Sequence, residues 1–170
     1  MNFQNTNKPS KVVLSVGDES GIGPEIILKA LYSNEIPENI EYILVGSKKN
    51  LQNTYENLRS LGLENLANPK NLKIQDIEIC PSNNDPKSSY GDSSFQYLKK
   101  AIEIVKQYPN AALVTGPICK KSWSLAGHYF SGQTEVLAKS CSVKNVGMLF
   151  TAKSPITGWR FNTLLATTHI

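Results

Sequence analysis

The sequence lacks long hydrophobic runs. No stretch of its 170 residues approaches the roughly 18 consecutive apolar residues that a membrane-spanning helix needs. Residues 1–11 are polar and lack the apolar segment that begins a secretory signal. We therefore expect no membrane partner and no secretion.

Cysteine is scarce and its pattern excludes two common uses. The three cysteines, Cys80, Cys119 and Cys141, are an odd number, and no pair has the C-x-x-C spacing of a zinc knuckle or redox motif. This usage is typical of free thiols in a reducing compartment, so we expect a cytoplasmic protein. A chain of this length also buries enough surface to fold without disulfides.

Strong charge of one sign is also missing. The net charge is +4, and the lysines occur as scattered pairs instead of a basic stripe interleaved with aromatic residues. A solvated surface explains this pattern, and we expect no nucleic-acid partner. Apolar residues make up 40% of the chain and charged residues 19%, which is typical of a folded globular protein.

Short β-branched runs alternate with longer helical patterns from Lys11 onward. This alternation predicts an α/β fold with a mostly parallel sheet flanked by helices. Several runs are apolar at every position, as strands buried on both faces are. The predicted strands are residues 12–16, 42–45, 74–79, 111–115, 146–150 and 161–167, and the predicted helices are residues 24–32, 47–61, 92–107 and 134–140.

The two ends of the sequence differ in character. Residues 1–10 have the composition of a disordered leader, which leaves residues 11–170 as the folded part. The last predicted strand has nothing after it to cover it. Either it lies at the edge of a compact domain or the sequence is part of a longer protein, and the residues leave both open.

The first candidate site is the glycine-rich turn within residues 12–27, where a predicted strand is followed by a helix with Pro24 at its first position. Its three glycines allow a tight turn, and the N–H groups of the following helix form a generic cradle for an anion. The spacing matches neither the dinucleotide fingerprint nor the P-loop, and Asp18 and Glu19 oppose close phosphate contact. A structural turn and a ligand site both remain open.

Two further turns precede predicted helices. In residues 111–126 a Gly-Pro turn follows a strand at the end where open α/β sheets bind ligands, and Lys120 is placed to hold an anionic substrate. An exposed Lys120-Lys121 pair explains the same residues without a ligand. In residues 128–135 Thr134 is a candidate N-cap, which accounts for it without a ligand as well.

The two histidines, His128 and His169, form neither an H-x-x-x-H nor an H-E-x-x-H pattern, so the chain is not expected to close a histidine-rich metal site alone. His169 is either a metal ligand or proton carrier or an ordinary strand-end histidine. A serine esterase is another class to consider, since Gly91-Asp92-Ser93 is similar to the G-D-S triplet of such enzymes and His169 could serve as base. An N-cap at Asp92 or Ser93 explains that triplet equally.

Four segments occur in an order that identifies a family. GDESGIGPEIILKAL, ALVTGPICK, AGHYFSGQTEVLA and ATTH resemble the G-D-P-x-G-I-G-P-E, T-x-P-I-N-K, G-H-x-F-x-G-H-T-E and T-T-H motifs of the 4-hydroxythreonine-4-phosphate dehydrogenase family of vitamin B6 biosynthesis. The resemblance extends from Lys11 to Ile170. Members of this family are considerably longer, so it implies that the chain is the N-terminal part of such an enzyme and is inactive by itself.

The resemblance implies a two-lobed enzyme similar in architecture to isocitrate and isopropylmalate dehydrogenases, acting as a cytoplasmic homodimer. Such an enzyme oxidises the phosphorylated substrate 4-phosphooxy-L-threonine with NAD or NADP and a divalent metal such as zinc, magnesium or cobalt. The β-keto acid product loses carbon dioxide to give 3-amino-2-oxopropyl phosphate, a precursor of pyridoxal phosphate.

The resemblance also implies roles for single residues. His169 matches a metal ligand of the family, and Lys120, Gln133 and Thr134 match positions that bind the substrate. Gln133 stands where the family has a histidine, and a glutamine exchanges hydrogen bonds but carries no proton at neutral pH.

Two more departures are Cys119 in place of an asparagine and Glu19 in place of a proline. A second hypothesis, from the class of binding proteins, is a stand-alone α/β module that binds a phosphorylated metabolite without redox chemistry.

Overall fold

The computed structural model describes residues 11–78 and 85–166, so the predicted leader at residues 1–10 lies outside it. The described elements form two compact units that divide between Tyr129 and Phe130. The first unit contains β1 (Lys11–Ser15), α1 (Gly23–Ala30), β2 (Glu41–Gly46), α2 (Lys48–Ser60), β3 (Ile74–Asp76), α3 (Pro86–Val105), β4 (Ala111–Thr115) and α4 (Lys120–Leu125). The second contains α5 (Gln133–Cys141), β5 (Met148–Lys153) and β6 (Arg160–Leu165).

A four-stranded sheet in the order β3, β2, β1, β4 organises the described part of the first unit. Each neighbouring pair is parallel, and Val13 in β1 lies opposite Ile43 in β2 and Leu113 in β4. This confirms the predicted parallel α/β fold. Because the strands run in one direction, the turns that follow them lie along one side of the sheet, which we call the carboxyl edge.

The core lies between this sheet and the helices packed on it. The interior strands β1 and β2 provide its centre, as expected for strands that are apolar on both faces. Burial of a side chain such as Leu28 or Leu51, both fully covered, stabilises the fold by about 1.5–3 kcal/mol. The helices contribute Ile27, Leu28, Leu51, Tyr97, Ala101 and Ile104.

Helix α3 begins earlier than the predicted start at residue 92. Asp85 is its N-cap and accepts a hydrogen bond from the Lys87 N–H at 2.9 Å, and Pro86 occupies the first turn. The first turns carry small residues instead of an apolar stripe, so hydrophobic periodicity missed them. Ser88, Gly91 and Ser94 are buried there.

Strands β5 and β6 form an antiparallel hairpin, with Met148 opposite Leu165 and Lys153 opposite Arg160. This corrects the expectation that they continue the parallel pattern, while their strand character is confirmed. The connection, residues 154–159, is far too short for the crossover that parallel neighbours require. Gly158 turns the chain there with a φ of +72°.

Candidate functional site

The order of the strands creates a switch point in the sheet. From β1 the chain moves through β2 to β3 on one side, and it then returns to place β4 on the other side of β1. Open α/β sheets bind ligands at such a point, in the crevice outside the carboxyl ends of the strands. The turns that follow β1 and β4 meet there, and they are the glycine-rich turn and the Gly-Pro turn singled out in the sequence.

These two turns are in direct backbone contact. The Asp18 N–H donates to the Pro117 carbonyl oxygen at 2.9 Å. A Cβ at Gly17, whose φ is +81°, would lie 2.3 Å from that same oxygen, and a Cβ at Gly116 would lie 2.3 Å from the Val16 oxygen. Because real Cβ atoms do not approach so closely, the switch point requires glycine in both turns.

Asp18 stabilises the first turn from within. Its carboxylate is buried, with 5% of the residue exposed. Its Oδ1 accepts hydrogen bonds from the Ser20 N–H at 2.9 Å and from the Ser20 hydroxyl at 2.7 Å. These contacts give Asp18 a complete structural role in the turn.

Glu19 is a site residue that sequence reasoning did not select. Its carboxylate accepts a hydrogen bond from the Tyr97 hydroxyl of α3, which lies 78 positions away in the chain. Burial raises the pKa of Glu19 above its ordinary 4.5, although hydrogen bonds from Tyr97 and the Ser47 N–H oppose the rise. The one sign of this role in the sequence was that Glu19 places a carboxylate where the resembled family has proline.

The turn after β4 presents Cys119 and Lys120 to solvent at the carboxyl edge. Lys120 is the first residue of α4, so the predicted substrate-binding lysine lies at the edge where ligands bind such sheets. Hydrogen bonds from the Ser122 hydroxyl and N–H lower the pKa of the Cys119 thiol.

The Gly91-Asp92-Ser93 triplet lies inside α3, so the predicted N-cap at Asp92 or Ser93 is wrong. Ser93 is buried, with 6% of the residue exposed, and this placement removes it as an esterase nucleophile. The Asp92 carboxylate instead lies 2.8 Å from Nε2 of His128. The imidazole of His128 also stacks on the Phe95 ring, with centroids 3.8 Å apart.

In the second unit, the predicted substrate residues Gln133 and Thr134 are the first two residues of α5. Gly132 is the N-cap, without a side-chain hydrogen bond, so the predicted capping role of Thr134 is wrong. Both side chains therefore belong to the first turn of a helix.

The predicted metal ligand His169 lies outside the described residues. Residues 11–78 and 85–166 contain no group of three or more histidine, cysteine, aspartate or glutamate side chains arranged to hold a metal ion. These residues alone therefore do not provide a metal centre, and the role of His169 stays a prediction. Within the same ranges, no helix combines the length and apolar character needed to cross a membrane.

The first unit therefore belongs to the class of α/β proteins with an open parallel sheet, and two glycine-containing turns meet at its switch point. The model of the family described as pyridoxal phosphate biosynthetic protein PdxA matches residues 38–170. The chain belongs to this family, which confirms the resemblance found in its motifs.

Relatives of known name agree with this assignment. The chain is 43% identical over 163 residues to the 4-hydroxythreonine-4-phosphate dehydrogenase of Synechococcus sp. (strain RCC307), covering 95% of this chain and 49% of that protein. It is 42% identical over 178 residues to the enzyme of the same name from Nostoc sp. (strain PCC 7120 / SAG 25.82 / UTEX 2576), covering 98% of this chain and 49% of that protein. The chain thus spans about half the length of these relatives.

A solved structure supports the fold. The crystal structure of a 4-hydroxythreonine-4-phosphate dehydrogenase from Burkholderia phymatum matches with a TM-score of 0.69 at 22% identity, covering 85% of this chain and 47% of that one. At this identity the match confirms the α/β architecture.

Proposed function

We propose that this chain is the N-terminal part of a 4-hydroxythreonine-4-phosphate dehydrogenase of pyridoxal phosphate biosynthesis. The observation that carries the proposal is its 43% identity, over 95% of its length, to a relative of that name. The meeting of the two family turns at the switch point supports it, because that is where an α/β sheet binds a small ligand. The enzyme converts 4-phosphooxy-L-threonine to a β-keto acid, which decarboxylates to 3-amino-2-oxopropyl phosphate.

Three residues of this chain are proposed to bind the substrate. Lys120 is exposed at the carboxyl edge and supplies a positive charge for the phosphate or carboxylate of the substrate. Thr134 supplies a hydroxyl from the first turn of α5, and Gln133 supplies an amide beside it. Because Gln133 carries no charge, substrate binding at this position relies on hydrogen bonds.

The proposed enzyme uses NAD or NADP and a divalent metal, zinc, magnesium or cobalt, for which His169 is the proposed ligand in this sequence. When bound, the metal stabilises negative charge on the alcohol oxygen and the nicotinamide accepts a hydride. We also propose that the enzyme is a cytoplasmic homodimer and that these 170 residues alone do not turn over.

The test is to follow NADH or NADPH formation from 4-phosphooxy-L-threonine by the protein that contains this chain. Lys120→Met removes the ammonium group but keeps most of the stem, and we expect a large rise in KM. Lys121→Met is the matched control and should leave KM unchanged. Absence of oxidation with both NAD and NADP would contradict the proposed function. Turnover that a metal chelator does not reduce would contradict the proposed role of His169 as a metal ligand.

The alternative, a binding module without redox chemistry, is favoured by one observation. The first unit has a sheet and a buried core of its own, made from residues of β1, β2 and the helices packed on them. Calorimetric titration of the 170-residue chain with the phosphorylated substrate, without nucleotide, distinguishes the two. Tight binding by this chain alone supports the module, whereas binding that requires the longer protein supports the dehydrogenase.

A further inference from the structure

Glu19 links the glycine-rich turn to helix α3. Its carboxylate accepts a hydrogen bond from the Tyr97 hydroxyl, which lies 78 positions away in the chain. Only 1% of Tyr97 is exposed, and its ring belongs to the core formed with β1 and β2. Because the core fixes the phenol, the half-buried carboxylate of Glu19 has a rigid partner.

The Tyr97 hydroxyl is held from a second side. Its oxygen accepts a hydrogen bond from the hydroxyl of Ser93, which is buried one turn earlier in α3. A phenol has a single O–H donor, and that of Tyr97 is directed to Glu19. Ser93, Tyr97 and Glu19 thus form a chain of hydrogen bonds that begins inside α3 and ends in the glycine-rich turn.

The neighbour of Glu19 connects this turn to the Gly-Pro turn. The Asp18 N–H donates to the Pro117 carbonyl oxygen at 2.9 Å, and a Cβ at Gly17 would lie 2.3 Å from that oxygen. With no free space between the two turns, a shift of the first displaces the second. Lys120, three residues after Pro117, is the first residue of α4, so the place of the Gly-Pro turn determines where this lysine stands.

We propose that Glu19 is a positioning residue, which uses its hydrogen bond from Tyr97 to hold the two turns together and thereby sets the place of Lys120 at the carboxyl edge. This inference rests on the proposed dehydrogenase function, in which Lys120 binds the substrate. Glu19 acts through the turns and needs no contact with the substrate. Loss of the Glu19–Tyr97 hydrogen bond should therefore weaken substrate binding more than it slows the chemical step.

Tyr97→Phe tests this in the protein that contains this chain, because it removes the donor and keeps the ring. We expect KM for 4-phosphooxy-L-threonine to rise roughly twofold to tenfold, the effect of one hydrogen bond, with kcat nearly unchanged. Glu19→Ala should give a similar rise. Glu19→Gln should have a KM near the parent value, because its amide oxygen still accepts from Tyr97.

Tyr55→Phe is the matched control. Tyr55 lies in α2 and packs against the same core, but its hydroxyl has no hydrogen-bond partner among the residues that the structure describes. Removing this hydroxyl should leave KM unchanged. A KM that rises as much in Tyr55→Phe as in Tyr97→Phe would contradict a specific role for the Glu19–Tyr97 hydrogen bond.

A double-mutant cycle shows whether the hydrogen bond acts through Lys120. If Glu19 and Tyr97 serve to place this lysine, Tyr97→Phe should raise KM in the parent protein and have no further effect in the Lys120→Met background. A merely structural defect would instead lower the active fraction, and hence kcat, in both backgrounds. An equal rise of KM in both backgrounds would overturn the proposal.

Hydrogen exchange tests the restraint without substrate. In the 170-residue chain, Tyr97→Phe should lower the protection of the Asp18 amide, whose acceptor is Pro117. The Leu63 amide, which donates to the Leu58 carbonyl oxygen at 3.1 Å beyond the end of α2, is the reference and should keep its protection. An Asp18 amide that exchanges as slowly in Tyr97→Phe as in the parent chain would overturn the proposal.

Failure of this inference and failure of the proposed function give different results. A parent protein that oxidises the substrate, with the same KM in Tyr97→Phe and Glu19→Ala, keeps the dehydrogenase function and overturns the positioning role. A parent protein that oxidises nothing contradicts the dehydrogenase function and, with it, the role of Glu19 in substrate binding. The exchange of the Asp18 amide still decides in that case whether Tyr97 restrains the two turns.

Discussion

The indole N–H of Trp123 in α4 donates to the Ser94 hydroxyl of α3 at 2.8 Å, and both side chains are fully buried. Ser94 in turn donates to the Gly91 carbonyl oxygen at 3.0 Å. The small residues of α3 thus allow α4 to approach closely, and a serine supplies the acceptor that the buried tryptophan requires. This contact holds α4, which begins at Lys120, against α3.

Ser94→Ala should destabilise the chain by about 1–3 kcal/mol. The reason is that the buried Trp123 N–H would lose its acceptor and gain none from water. Urea unfolding followed by circular dichroism measures the change. Ser124→Ala, at an exposed position of α4, is the control and should stay within about 0.5 kcal/mol of the parent chain. Equal stability of the two variants would show that the hydrogen bond contributes little.

Gly91→Ala should also destabilise the fold, although alanine is the better helix former by about 1 kcal/mol. A Cβ at Gly91 would lie 2.0 Å from the Ser122 carbonyl oxygen, and backbone cannot move aside as a flexible side chain does. We expect a net loss of about 1–3 kcal/mol in the free energy of unfolding.

The matched control is Gly21→Ala. Its Cβ would have the Asp18 carbonyl oxygen at 3.4 Å as its nearest neighbour, which is ordinary contact. We expect this variant to stay within about 1 kcal/mol of the parent chain. A Gly91→Ala chain as stable as Gly21→Ala would refute the close packing of α3 and α4.

Cys119 should react with iodoacetamide at lower pH than an ordinary thiol. Hydrogen bonds from Ser122 lower its pKa, so a larger thiolate fraction is present near neutral pH. Peptide mass spectrometry gives the rate of Cys119 alkylation as a function of pH in the folded chain and in urea. The midpoint should be lower in the folded chain, and Ser122→Ala should raise it while Ser124→Ala should not. Identical midpoints with and without urea would contradict the prediction.

The pair of Asp92 and His128 should show a coupling energy of about 0.5–1 kcal/mol in a double-mutant cycle to alanine, because both side chains are less than one third exposed. His128→Ala should cost more stability than Asp92→Ala, since the imidazole also stacks on Phe95. Additive single-variant effects would indicate that the hydrogen bond is not formed in solution.

Local sequence was sufficient for the architecture of the first unit. The runs at residues 12–16, 42–45 and 111–115 became β1, β2 and β4 because short apolar segments between turn residues have few alternatives to a buried parallel strand. The proline at the start of α1 was also correctly placed, because this signal acts within one turn of helix.

Other features escaped sequence reasoning for physical reasons. The start of α3 lies in a serine-rich stretch, and nothing in that stretch shows that its small residues serve to admit α4. Thr134 has the chemistry of an N-cap, yet the backbone places Gly132 there and takes Thr134 into the helix. The propensity of a residue type describes which helix or cap positions it tolerates. The packing of the whole chain decides which of these positions the residue occupies.

The sequence by itself determined the alternation of strands and helices, the glycine turns and the family, because these depend on neighbouring residues and on motif order. Only the tertiary structure decided the partners of Glu19 and Asp92, which lie 78 and 36 positions away in the chain. It also decided the burial of Ser93 and the antiparallel pairing of β5 with β6. Such contacts arise when distant segments compete for the same packed space, and no local pattern of residues encodes the outcome.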